Sequence, residues 1–135
     1  MTSSVIYNGD LRTYCVHEKS SSAIETDAPT DNNGKGERFS PTDLLSTSLA
    51  SCMLTVMGIK ARSMNADLKG MEVSVEKLMK ADPRRVSGIH LTFSIPDALK
   101  KIDEKDKQIL KNTALTCPVA KSIHPDIELK IEWNW

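Results

Sequence analysis

The chain has 135 residues, a formal net charge of zero, 27% charged residues and 4% aromatic residues. That length suits one domain, 1–135, able to bury a core without disulfide staples. The lack of a basic excess or a long like-charge run argues against a nucleic-acid partner, and the scarcity of rings argues against a base-stacking surface.

The first ten residues, Met-Thr-Ser-Ser-Val-Ile-Tyr-Asn-Gly-Asp, contain no basic region and no apolar stretch of signal-peptide length. Ser4 to Tyr7 is short and β-prone, and Asn8-Gly9-Asp10 is a turn signal. Leu11 to His17 reads as a second strand, with Leu11, Thr13 and Cys15 on one face and Arg12, Tyr14 and Val16 on the other. A Lys-Ser-Ser-Ser break precedes a third strand, Ala23 to Thr26, so the segment resembles a β-meander. Residues 27–39 form a polar loop rich in turn residues, long for a compact domain and of a length often given to function.

Ser40 then opens a helix. It is a good N-cap, Pro41 fits the first helical position, and Asp43 completes a Ser-x-x-Asp capping box. The helix is expected to run to about Asn65. Leu44, Leu45, Leu49, Cys52, Met53, Val56, Met57 and Ile59 cover a wide arc, and Ser46, Ser48, Ala50, Ser51 and Gly58 fill much of the rest. Such a pattern predicts a long buried central helix closely approached by other backbones, with a second subunit as an attractive cover. The most apolar window, Leu44 to Ile59, is broken by five Ser and Thr residues and reads as too short and too polar for a membrane span.

Two alternating runs, Met71 to Ala81 and Val86 to Ile95, predict a hairpin around Asp82-Pro83-Arg84-Arg85, each arm with one wet and one dry face. Asp103, Glu104 and Asp106 load the start of a second helix with acids. Leu99, Ile102, Ile109 and Leu110 give that helix its apolar stripe. Cys117-Pro118 starts a short helix reaching about Ile123, and the chain closes on a strand with Ile127, Leu129, Ile131, Trp133 and Trp135 on one face. The order β-β-β-α-β-β-α-β predicts an α+β fold with mostly antiparallel sheet.

The cysteines are the residues with chemistry to offer. Their number is odd, which fits a cytoplasmic chain with reduced thiols better than a secreted scaffold; a disulfide there would be transient and catalytic. Cys117 sits at a helix start, where backbone N–H groups favour a thiolate. Cys52, mid-helix among Leu, Ala and Met, reads locally as a buried apolar thiol, and Cys15 reads as a half-buried strand filler. His17, His90 and His124 are dispersed without metal-ligand spacing, and no nucleophile elbow, P-loop or dinucleotide fingerprint is present, so no metal or bound cofactor is expected.

Three segments carry a family likeness: Tyr7-Asn-Gly-Asp-Leu-Arg12; Gly36-Glu-Arg-Phe-Ser-Pro-Thr-Asp-Leu-Leu45 running on to Ala50-Ser-Cys-Met-Leu-Thr55; and Thr116-Cys-Pro-Val-Ala-Lys-Ser122. With them the chain resembles, over nearly its whole length, the OsmC/Ohr family of thiol-dependent peroxidases and OsmC-like proteins. The resemblance implies an intertwined homodimer around two central helices, with Cys52 brought near Cys117. It makes Cys52 the thiol that attacks a hydroperoxide and Cys117 the thiol that resolves the sulfenic acid. An external dithiol, dihydrolipoyl groups by analogy, would then reduce the disulfide. It assigns the activating guanidinium to Arg12, with Arg38 as fallback. The peroxidase branch carries a glutamate ten residues before the first cysteine, which orients the arginine; here that position is Thr42, and the neighbouring acid is Asp43.

Two rival readings use the same residues. One is a non-catalytic OsmC-like protein binding an apolar small molecule in the dimer groove, motivated by Thr42. The other is a cysteine hydrolase pairing Cys117 with His124 or His90.

Overall fold

Short β-prone runs separated by tight turns make the first part of the chain a meander. In the computed structural model, which describes residues 1–135, β1 (Ser3–Gly9), β2 (Arg12–His17) and β3 (Ala23–Asp27) form a three-stranded antiparallel sheet in that order. The β1–β2 turn passes through left-handed backbone at Gly9, Asp10 and Leu11, so Leu11 belongs to the turn and β2 begins one residue later than the alternation predicts. Across the sheet Val5 faces Cys15 and Cys15 faces Ile24, while Arg12 faces Asp27. Consecutive residues of a strand point to opposite faces. The exposure of Val5, Ile6 and Tyr7, at 62%, 57% and 64%, therefore leaves apolar side chains open on both faces of this sheet.

The loop after β3 is folded, not slack. A 3-10 turn at Thr30–Asn32 is followed by Gly34 N–H donating to the Pro29 carbonyl at 3.0 Å and Gly36 N–H donating to the Ala28 carbonyl at 3.2 Å. A Cβ on Gly34 would lie 1.7 Å from the Ala28 carbonyl oxygen, so only glycine fits this close approach. The fold-back sets Glu37 beside the end of β3, where its N–H donates to the Asp27 carboxylate at 3.1 Å.

The chain divides into two compact units, Met1–Leu45 and Ser46–Trp135; α1 (Pro41–Ser63) begins in the first and continues into the second. In the second unit β4 (Glu72–Lys80) and β5 (Arg85–Ser94) form the expected antiparallel hairpin. The central strand β5 supplies Val86, Ile89, Leu91 and Phe93 to the core. Strand β6 (Glu128–Asn134) pairs with the other edge of β5, and β5 and β6 run parallel, the one parallel pair in a fold that is otherwise antiparallel, as the sequence predicts for most of it. A parallel neighbour needs a crossover connection, and α2 (Glu104–Ala114) with α3 (Pro118–Ser122) provides it. In register with each other, Phe93 and Trp133 stack at 4.2 Å between ring centroids.

Helix α1 contributes Leu49, Ala50, Met53, Met57 and Ala61 to the same core as β5, Leu110 and Ala114. Their spacing is that of one helical face. The opposite side, with Ser51, Thr55 and Ile59, stays open, and Ile59 is 65% exposed. Burial all round, as the sequence predicts, is therefore not reached within one chain: β5 and α2 join one face of α1 in the core and leave the other. By length, 23 residues, and mean hydropathy, 1.4 over its most apolar window, α1 does meet the requirement for a membrane span. The sequence window was shorter than the helix; what places α1 is its packed core face, not a shortage of length.

Candidate functional site

Cys52 and Cys117 both lie in the second unit, at the same core. Cys52 lies on α1 between the core residues Leu49 and Met53, half-buried at the margin of the packed face. Cys117 is the N-cap of α3: its backbone is extended, Pro118 takes the first helical position, and its Sγ accepts the Ala120 N–H at 3.3 Å. A sulfur here does what a Ser or Thr oxygen does at other helix starts. Cys52 is packed against the core cluster to which Cys117 belongs. Both thiols are free.

Electrostatics reverse the local reading of Cys117. Burial pushes its thiol above the ordinary value, the Ala120 N–H pulls the other way, and the neighbouring Cys52 pushes it up again. The N–H that was expected to make Cys117 acidic is present. It acts on a side chain with no exposed surface, and desolvation of the thiolate outweighs it. Cys15 sits in β2 between Val5 and Ile24, with its sulfur 3.7 Å from the Thr13 hydroxyl.

Arg12 is organised within the first unit. The β2–β3 register sets it opposite Asp27. Its Nε donates to Asp27 Oδ1 at 2.7 Å and its Nη2 to Asp27 Oδ2 at 2.8 Å, a two-pronged fork. Nη2 also donates to Glu37 Oε2 at 3.0 Å. Asp27 is 1% exposed. The hydrogen bonds from Arg12 hold its carboxyl down at about 2, and those from Asp27 and Glu37 hold the Arg12 guanidinium above its ordinary value.

Asp43 and Arg38 have other work. The Asp43 carboxylate accepts the Ser40 N–H at 2.8 Å and the Asp43 N–H donates to Ser40 Oγ at 3.0 Å, a reciprocal capping box at the start of α1. Arg38 Nε donates to Glu25 Oε2 at 2.8 Å. The carboxylates on Arg12 are thus Asp27 and Glu37, which the sequence reading did not single out. Asp27 opens the predicted loop 27–39, and only the strand register reveals that it ends β3 facing Arg12. The histidines lie elsewhere. His90 pairs with Glu76 across β4 and β5 at 3.3 Å, His124 Nδ1 accepts the Asp126 N–H, and His17 pairs with Ser20. The Cys117 sulfur accepts the Ala120 N–H, and the three histidines take other residues as partners.

The Asp27 shift has a measurable consequence. Its carboxyl holds a proton less tightly in the folded chain than at its ordinary value of 3.8. The stability it adds is therefore complete above that value and is lost as the pH falls through about 2. Thermal melts across this acid range are expected to show a loss in the native protein that is smaller in Asp27→Asn. Equal slopes for the two would rule out the Asp27–Arg12 pair as a source of acid sensitivity.

The family model described as OsmC-like protein matches residues 34–132. A crystal structure of a candidate osmotic stress induced and detoxification response protein from Psychrobacter arcticus is 57% identical, with a TM-score of 0.94, covering 99% of this chain and 96% of that one. An organic hydroperoxide resistance protein OsmC from Legionella pneumophila superposes with a TM-score of 0.76 at 16% identity, covering 100% and 98% of the two chains. OhrB of Bacillus subtilis, an organic hydroperoxide resistance protein, superposes with a TM-score of 0.68 at 18% identity, covering 99% and 98%. The last two show likeness of fold. No curated protein matches the sequence.

Proposed function

The chain belongs to the OsmC-like protein family, and from that premise we propose that it is a thiol-dependent peroxidase of the cytoplasm. It reduces organic hydroperoxides, and hydrogen peroxide less well, in defence against oxidative stress. The observation that carries this reading is that Cys52 and Cys117, two free thiols on different elements, lie at the same core and that Cys52 acts on the Cys117 thiol. A pair of free thiols at one site is what a two-cysteine peroxide cycle requires.

In that cycle the Cys52 thiolate attacks the peroxide O–O bond, takes the hydroxyl as a sulfenic acid and releases alkoxide, which becomes alcohol. Cys117 displaces the hydroxyl, forming the Cys52–Cys117 disulfide. An external dithiol, such as a dihydrolipoyl group, restores both thiols by exchange. Cys52, half-buried, is the more accessible of the pair, and Cys117 has no exposed surface; this order of events follows that difference. In this reading Arg12, oriented by Asp27 and Glu37, is the activating guanidinium that the family likeness assigns. Thr42, in the position of the family's glutamate, is the departure that favoured a binding protein. It loses that weight because Arg12 already holds two carboxylates.

The working form in this reading is a homodimer. Apolar side chains open on both faces of the first sheet, with Ile59 on the free side of α1, support it. Incubation with cumene hydroperoxide and dithiothreitol tests the enzyme. Peroxide loss well above the protein-free rate, and faster than with hydrogen peroxide, is expected; loss at the protein-free rate would leave only the fold.

A further inference from the structure

Helix α2 and strand β6 enclose a groove that the thiol chemistry does not use. Gln108, Lys111, Asn112 and the C-cap Leu115 recur along α2 at the spacing of one helical face. Leu129, Ile131 and Trp133 alternate along β6, so they share one side of that strand. Together they line a cleft of about 310 Å³, and neither Cys52 nor Cys117 is among its walls. That volume suits a small ligand. The β6 wall is apolar, and the polar groups all come from α2. Gln108 and Asn112 answer each other, with Gln108 Nε2 donating to Asn112 Oδ1 at 2.8 Å. Lys111 is then the one charged residue on the groove.

Lys111 is held by rings, not by a carboxylate. Its Nζ lies 5.8 Å from the Trp133 ring centroid and 5.3 Å from that of Trp135. Trp133 is fixed in turn by its stack on Phe93. The half-buried ammonium has given up part of its water for two indole faces, which compensate a cation less fully than an anion does. On the second of those rings, the Trp135 Nε1–H is buried and has no acceptor. A cation without an anion and an N–H without an acceptor stand on the two sides of one contact, and an anionic oxygen answers both.

We propose that this groove binds a small aliphatic carboxylic acid, with its carboxylate on Lys111 and its chain along Leu115, Leu129 and Ile131. The carboxylate gives Lys111 its anion through a charge-assisted hydrogen bond and brings an acceptor to the side of the Trp135 indole. The chain takes from water an apolar wall that includes Leu115, which is 49% exposed. A ligand of the opposite charge is disfavoured, because a cation drawn to the indole faces meets Lys111 already over them.

Trp133 and Trp135 are the only tryptophans of the chain, so intrinsic emission reports on the groove itself. Reduced protein is titrated at neutral pH with octanoate, octanol and octylammonium, which share one chain and differ in head group. Octanoate is expected to give a saturable change with a midpoint below about 1 mM. Octanol should bind about tenfold more weakly and octylammonium more weakly still. Lys111→Met should weaken octanoate about tenfold, to the level of octanol, whereas Lys111→Arg should stay within about threefold of native. The absence of saturation with octanoate would overturn the proposal. So would octanol or octylammonium binding as well as octanoate, or native affinity for octanoate in Lys111→Met. The head-group series needs no variant, so it decides the matter even if Lys111→Met fails to fold. No peroxide is present and no thiol reacts, so neither result bears on the peroxidase reading.

Discussion

Replacing Cys52 by serine is expected to lower cumene hydroperoxide turnover by at least about a thousandfold. The reason is chemical. A serine hydroxyl is a far poorer nucleophile than a thiolate at neutral pH, and it cannot form the sulfenic acid or the disulfide on which reduction depends. The change removes one atom's identity and little volume, from a half-buried position beside the Leu49–Met53 core. The fold should therefore survive, and a matched melting curve separates lost chemistry from lost structure. Cys117→Ser should behave differently. Its first turnover stays near the native rate, because Cys52, the attacking thiol, is still present. Later turnovers then depend on direct attack by external thiol on the Cys52 sulfenic acid. If Cys52→Ser and Cys117→Ser lose the first turnover equally, Cys52 is not the attacking thiol.

The second large effect is expected at Arg12. Arg12→Met should lower kcat/KM for cumene hydroperoxide by about a hundredfold to a thousandfold, the usual cost of removing one preorganised charge from a developing anion. Arg12→Lys keeps the charge but cannot reproduce the fork onto both Asp27 oxygens, so an intermediate loss is expected. Arg12→Met also leaves the Asp27 carboxylate, 1% exposed, without the cation that compensates it, and a fall in melting temperature should accompany the lost activity. The double variant Arg12→Met with Asp27→Asn removes that stranded charge. It should recover melting temperature without recovering activity. Recovery of both together would make Arg12 a structural residue and nothing more. Glu37 is the weaker support, since its side chain is 60% exposed and solvent competes for the contact; Glu37→Gln should cost less activity than Asp27→Asn.

Local chemistry was legible wherever a single segment contains both partners. The Ser40–Asp43 capping box forms as its spacing predicts, and Cys117-Pro118 does cap a short helix. The alternating arms of β4 and β5 pair antiparallel in register. What the sequence did not disclose depends on partners far along the chain. The parallel seat of β6 is set by the α2–α3 crossover, not by its own alternating residues. Asp27 looks like one more loop acid until β3 is paired with β2 and brings it opposite Arg12. The open side of α1 has the same origin: small and apolar residues nearly all round say that the helix can be covered, but not which element of the chain covers it. Cys117 shows the limit most clearly. Its helix-start position was readable and its burial was not, and burial decides which way its proton affinity moves.

The account turns on the two thiols acting as one redox pair, and that can be measured directly. The reduced protein is given one equivalent of cumene hydroperoxide without reductant, blocked with iodoacetamide, digested and mapped without reduction. The account predicts a peptide pair joined by a Cys52–Cys117 disulfide, two hydrogens lighter than the separate thiol peptides, with Cys15 alkylated. Recovery of Cys52 as an unmodified alkylated thiol, or as a sulfinic acid beside a free Cys117, would contradict it.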